Sequence, residues 1–121
     1  MKEYYKITDG TFTRYYFAES AEEAIDTYSK NYFADKPEAT KVLTDQGYPI
    51  VRLGDLPEGA LFHRTFLLGN QFCEGSTTWR AGQYVPDIKK RTCYRWDNHP
   101  IDAKGYEHFK REERVTIEPF A

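Results

Sequence analysis

This chain has few of the groups on which chemistry is usually built. Of its 121 residues, two are cysteine and three are histidine. No G-x-x-x-x-G-K-[ST] loop, G-x-S-x-G elbow or H-E-x-x-H helix occurs in it. The glycines stand at turns and never cluster before a helix, so no loop of backbone amides is set up to hold phosphate. Structural zinc favours paired ligands, because a tight turn brings two donors onto one ion. Cys73, Cys93, His63, His99 and His108 include no two within five positions of each other. His99 beside Asp97 and Asp102 is the one local cluster, and it reads as a turn held by Asx-type hydrogen bonds. No metal, cofactor or catalytic residue is expected.

Long apolar runs are missing as well. A membrane-spanning helix needs roughly 20 consecutive apolar residues, and no stretch approaches that, so no membrane partner is expected. The opening Met1-Lys2-Glu3-Tyr4-Tyr5 reads as structure and not as a targeting segment. A cytoplasmic, reducing setting follows as the expectation, with both thiols in core or strand positions. A cross-strand disulfide is the alternative. Cys93 lies between Arg91 and Arg95, and cations lower a thiol pKa. A nucleophilic Cys93 would still need a base from His63, His99 or His108.

Charge of one sign is also scarce, since the net charge is −2, but its distribution is uneven. Residues 1–60 carry seven basic against eleven acidic side chains, whereas residues 61–96 carry six against two. Such a dipolar chain can orient on a charged partner, yet it is too weakly basic to coat nucleic acid. Glu19, Glu22, Glu23, Asp26 and Asp35 form an acidic set at the N-terminal helix. It reads as a solvated face, with mimicry of a phosphate backbone as the alternative.

Aromatics are what the chain has in plenty, with ten Tyr and eight Phe, enough to build a core from few residues. Tyr4–Thr8 and Phe12–Phe17 are rich in β-formers and flank Asp9-Gly10, a favoured hairpin pair. Ser20 with Glu23 fits a capping box, and Ala21, Ala24, Ile25, Tyr28 and Tyr32 follow at helical spacing. Residues 41–44 complete a ββαβ unit. Gly54, Asp55, Pro57 and Gly59 make an ordered turn. Phe66–Leu68 and Gln71–Cys73 form a second hairpin about Gly69-Asn70, and Glu74-Gly75-Ser76 turns the chain again. Arg91–Trp96 alternates strictly, with Thr92, Tyr94 and Trp96 on one face and Arg91, Cys93 and Arg95 on the other. Residues 97–114 read as loop with a possible short helix about Tyr106, Phe109 and Lys110, followed by a last strand from Val115 to Glu118. The expected fold is α+β: a single domain, 1–121, in which a ββα(β) unit (1–46) packs with an antiparallel sheet or small partly closed barrel (47–121).

Two stretches resemble known material. Tyr15-Tyr16-Phe17-Ala18-Glu19-Ser20-Ala21-Glu22-Glu23-Ala24 resembles the strand-to-helix step of small hypothetical proteins from phages and mobile elements. Val51 to Phe62 (VRLGDLPEGALF) is similar to the leader of small β-barrel modules from the same kind of genome. The resemblance implies an accessory protein that binds host machinery, a group that includes inhibitors of bacterial defence systems such as anti-CRISPR proteins. It assigns no residue a role.

Large flat rings beside fixed cations suit a surface that grips a macromolecule. Candidate contacts are Arg80, Lys89, Lys90, Arg91, Arg95 and Trp96, with Trp79 and Tyr84 in support. The expected function is a non-enzymatic binding protein that occludes a protein partner. One alternative is a single-stranded nucleic-acid-binding module using the same residues. Another is a small metal- or thiol-dependent enzyme. The bland reading puts Trp79, Tyr84, Tyr94 and Trp96 in the core and leaves the cations as a solvated face.

Overall fold

The computed structural model describes residues 1–32, 36–96 and 105–117. The cluster of Asp97, His99 and Asp102, the turn beginning at Asp97, Asp35 of the acidic set and Glu118 lie outside the described residues. Strand β1 (Glu3–Thr8) pairs antiparallel with β2 (Thr13–Ala18), from Glu3 opposite Ala18 to Thr8 opposite Thr13. The turn spans four residues, not two. Asp9 Oδ1 accepts from the amides of Thr11 (2.7 Å) and Phe12 (2.8 Å), and Gly10 takes a φ of +91°. Helix α1 (Ala21–Ser29) starts where Ser20 accepts from the Glu23 amide at 3.1 Å, and Glu22 and Glu23 sit in its first turn. Its apolar stripe buries Ala24 and Tyr28 against Tyr5, Ile7 and Ala18 of the hairpin.

Beyond the helix, β3 (Glu38–Lys41) forms earlier than the residues 41–44 expected for it and pairs antiparallel with β1. Leu43 and Thr44 make isolated bridges, to Pro49 and Phe72. The short β4 (Val51–Arg52) joins β1 to the last strand, β9 (Arg114–Ile117), through Glu3–Val51 and Val51–Val115 pairs. A 3₁₀ turn at Leu53–Asp55 follows β4. Then come β5 (Leu61–Leu68), β6 (Gln71–Val85), β7 (Lys90–Arg95) and β8 (Tyr106–Lys110). The strand order is β2-β1-β4-β9-β5-β6-β7-β8, with β3 also on β1. The result is mostly sheet with one helix among the described residues, an open and curled antiparallel half-barrel. One sheet runs through both units read from the sequence.

Two expectations fail where backbone pairing overrides local signals. Gly75 and Ser76 do not turn the chain, because β6 continues through them and through Gly82 for 15 residues. A Cβ on Gly75 would lie 3.2 Å from the Arg64 carbonyl oxygen, and one on Gly82 would lie 2.7 Å from that of Thr92. These glycines permit close backbone approach at two irregularities of register, one between His63 and Thr65 and one between Ala81 and Tyr84. Residues 106–110 are strand, not helix or loop. They pair with β7 from Lys90–Lys110 to Tyr94–Tyr106. That register turns Phe109 inward, edge-on to Trp79 at 5.0 Å.

The main core gathers Val51, Leu53, Phe62, Trp79, Cys93 and Val115. Arg91, only 6% exposed, enters it as well. Its Nη1 donates to the Leu53 (2.7 Å) and Leu56 (2.6 Å) carbonyls, and its Nε donates to Gly82 at 2.8 Å. Burial pulls the guanidinium below its ordinary pKa, opposed by Cys93 and Glu58, yet an arginine stays charged at neutral pH. Its charge is thus held by three backbone dipoles and ties the 3₁₀ turn to the irregular centre of β6.

Replacing Arg91 with Leu keeps the apolar stem and removes three hydrogen bonds to backbone carbonyls. Urea denaturation should show a loss of about 3 kcal/mol at an unchanged m value. Alkali acts in the same direction. Burial pushes the Tyr28 hydroxyl from 10.0 up to about 12 and the Cys93 thiol from 9.0 up to about 11. Both groups are neutral in the fold and ionise first in the unfolded chain. Their stabilisation is complete below pH 9 and is lost as pH rises through about 11 to 12, which denaturation curves across that range should record.

Candidate recognition surface

The alternation on β7 puts the residues on the two faces foreseen, but with the opposite roles for the charges and the rings. Arg91 and Cys93 point into the core, while Thr92 and Tyr94 are half-buried and Trp96 is 49% exposed. Arg91 and Trp79 therefore leave the set of contacts. Arg91 is taken up by backbone carbonyls, and Trp79, 7% exposed, packs on Phe109. The bland reading fails as well, because the core takes a cation and leaves an indole outside.

What remains on the outer face is a short ladder across two strands. Arg80 of β6 sits opposite Tyr94 of β7, and the Trp96 amide bonds to the Thr78 carbonyl at 2.8 Å. The pleat thus puts Arg80, Tyr94 and Trp96 on one side. The Arg80 guanidinium carbon lies 4.8 Å from the Tyr94 ring centroid and 5.5 Å from that of Trp96. Its Nε is buried with no hydrogen-bond partner, so the cation rests against π faces. The ladder is preorganised: three side chains fix one another before any partner arrives.

The other candidates surround it unevenly. Lys89 is exposed at the turn between β6 and β7, where it adopts a φ of 55°, and its amide bonds to the Pro86 carbonyl at 3.2 Å. Lys90 is half-buried opposite Lys110. The irregularity after Ala81 sets Tyr84 opposite Arg91, and the Arg111 guanidinium covers its ring at 4.4 Å. Arg95 is exposed at the strand end, opposite Trp79.

The chemical alternatives find little support in the geometry. Cys93 is fully buried, and desolvation, the largest influence on it, holds the thiol at about 11. It is therefore no thiolate at neutral pH. Cys73 and Cys93 are both free thiols. Cys73 lies eight residues along β6 from Ala81, the partner of Cys93, about 26 Å at 3.3 Å per residue, too far for a disulfide. His63 is engaged by the Gly75 carbonyl (2.8 Å) and Thr78 (3.1 Å), and His108 by Thr92 at 3.1 Å. Among the described residues, no three His, Cys, Asp or Glu side chains gather as a metal site, and no helix is long and apolar enough to cross a membrane.

One surface feature escaped sequence reasoning. The β5–β6 hairpin exposes Phe66 (51%), Leu67 (55%) and Leu68 (68%) at its tip, beside Gly69 with a φ of +64°. Three consecutive exposed apolar residues are unusual on a folded surface. The signal was present as an unbroken Phe-Leu-Leu run where a half-buried strand should alternate.

No family model matches the chain, and neither does any curated protein or solved structure. The two thiols offer a direct check on the geometry. A thiol reagent at neutral pH should modify Cys73 in the native protein and reach Cys93 only on unfolding. Mass spectrometry of native and denatured samples would record one adduct and then two.

Proposed function

We propose that this chain is a non-enzymatic binding protein that docks on a protein partner and occludes its working surface. The contact is the outer face of β6 and β7, centred on Arg80, Tyr94 and Trp96, with Lys89 and Lys90 at its end. The Arg80 ladder carries this reading. A half-exposed indole held in place by a stacked arginine combines the two side chains most common at interface hot spots, and little conformational entropy is left to lose on docking. A protein partner is favoured over single-stranded nucleic acid, because bases need bare ring faces on which to stack. Here Arg80 already lies against both rings, and Trp79 is buried. The resemblance to phage and mobile-element proteins is consistent with an inhibitor of a bacterial defence system in the cytoplasm.

Affinity capture from the native host tests this reading with three variants. Trp96→Ala and Arg80→Ala should each weaken the partner by about 2 kcal/mol, roughly thirtyfold in Kd, at unchanged melting temperature. Leu68→Lys changes a site roughly 30 Å away along β6 and should leave capture intact. Retention of the same partner by both ladder variants would remove this surface from the proposal. Capture of nucleic acid that is released steeply by salt and lost in both ladder variants would remove the protein partner.

A further inference from the structure

A second concave surface lies at the other end of the sheet, away from the Arg80 ladder. It is a cleft of about 590 Å³ between β1, β3 and the tip of the β5–β6 hairpin, within the range of small-molecule sites. Its floor is aromatic. Tyr4 stacks on Tyr15 with centroids 5.5 Å apart and planes 18° from parallel, and it meets Phe72 edge-on at 6.0 Å. Leu43 and Leu67, 40% and 55% exposed, form an apolar side.

Charge sets this cleft apart from the rest of the chain. Lys6 and Arg114 present their cations to it, and no acidic residue lines it. Lys41 also borders it, but it stands opposite Tyr5, so its side chain lies on the helix face of the sheet. There it pairs with Glu3 at 2.7 Å. Arg114 lies over Tyr4 (5.8 Å) and Phe72 (5.4 Å), and its Nη1 donates to the Tyr4 hydroxyl at 3.4 Å. None of the ion pairs among the described residues involves Lys6 or Arg114. Two cations outside these ion pairs therefore form a positive pocket on a chain of net charge −2. Lys6 and Tyr15 are directly opposite on β1 and β2, which puts an ammonium beside a ring that is 46% exposed.

We infer that this cleft binds a nucleotide, with its phosphate on Lys6 and Arg114 and its base on the Tyr15 ring and the neighbouring leucines. A bare anion would leave the aromatic floor without a role, and an uncharged ring would leave two cations unanswered. Charge complementarity and ring stacking together select a molecule carrying both groups. A free mononucleotide and one unit of a single strand share this chemistry.

Calorimetric titration of the full chain tests the inference with four probes: adenosine monophosphate, adenosine, inorganic phosphate and a ten-nucleotide oligodeoxyadenylate. The monophosphate should bind at least about tenfold more tightly than either adenosine or phosphate. Lys6→Gln and Tyr15→Ala alter exposed side chains, so both should fold, and each should weaken binding about tenfold. A strand that binds more tightly than the monophosphate and loses affinity in both variants would name a strand as the source. A stronger monophosphate would name the free nucleotide. Phosphate binding as well as the monophosphate, no binding by any probe at millimolar concentration, or indifference to both variants would each overturn the inference. Partner capture through the Arg80 ladder should be unchanged in Lys6→Gln, so the two readings fail separately.

Discussion

The structure turns on one buried cation. Arg91 donates to the carbonyls of Leu53, Leu56 and Gly82. The 3₁₀ turn after β4 directs its carbonyls inward, and the bulge at Gly82 takes another out of register. Leu53's carbonyl also accepts from the Leu56 amide at 3.2 Å, but a carbonyl that loses its only donor in the core is costly. One guanidinium meets all three and gains compensation for its own desolvation. Both sides of this exchange are costly in isolation.

That exchange explains why the polarity of β7 inverts the usual expectation. A strand with Arg at positions 91 and 95 and rings at 94 and 96 looks as if the rings should be buried. Arg91 takes the inside position because backbone acceptors are waiting for it, a fact held in residues 35 to 38 positions earlier in the chain. Its register then fixes the other face. Tyr94 and Trp96 are turned outward, where Arg80 meets them from β6. The surface patch is thus a consequence of the core.

Local signals were legible where the physics is local. Ser20 caps α1, Asp9-Gly10 turns the first hairpin, Gly69-Asn70 closes the second, and the helix buries its apolar stripe. What could not be read depends on distant partners. Gly75 and Gly82 carry the usual mark of a turn, and only the carbonyls of Arg64 and Thr92 reveal that they permit close approach within a strand. Residues 106–110 lack a clean strand period, and β7 supplies the pairing that decides them. The candidate surface was half legible. Composition pointed to β6 and β7, but which arginine is structural depends on contacts made across the fold. The cleft at Tyr4 was invisible, because Lys6, Phe72 and Arg114 come from three separate parts of the sequence.

Lys89 bears on the proposed contact. A left-handed backbone costs an L-residue roughly 1 kcal/mol that glycine avoids, and the chain nonetheless keeps lysine at φ 55°. The turn geometry gives no reason for that choice, whereas an ammonium at the outer end of β6 and β7 does. A lineage in which the patch had lost its use would be free to drift to glycine or asparagine there. The residue that relatives carry at position 89 would then serve as a record of whether the surface is still in service.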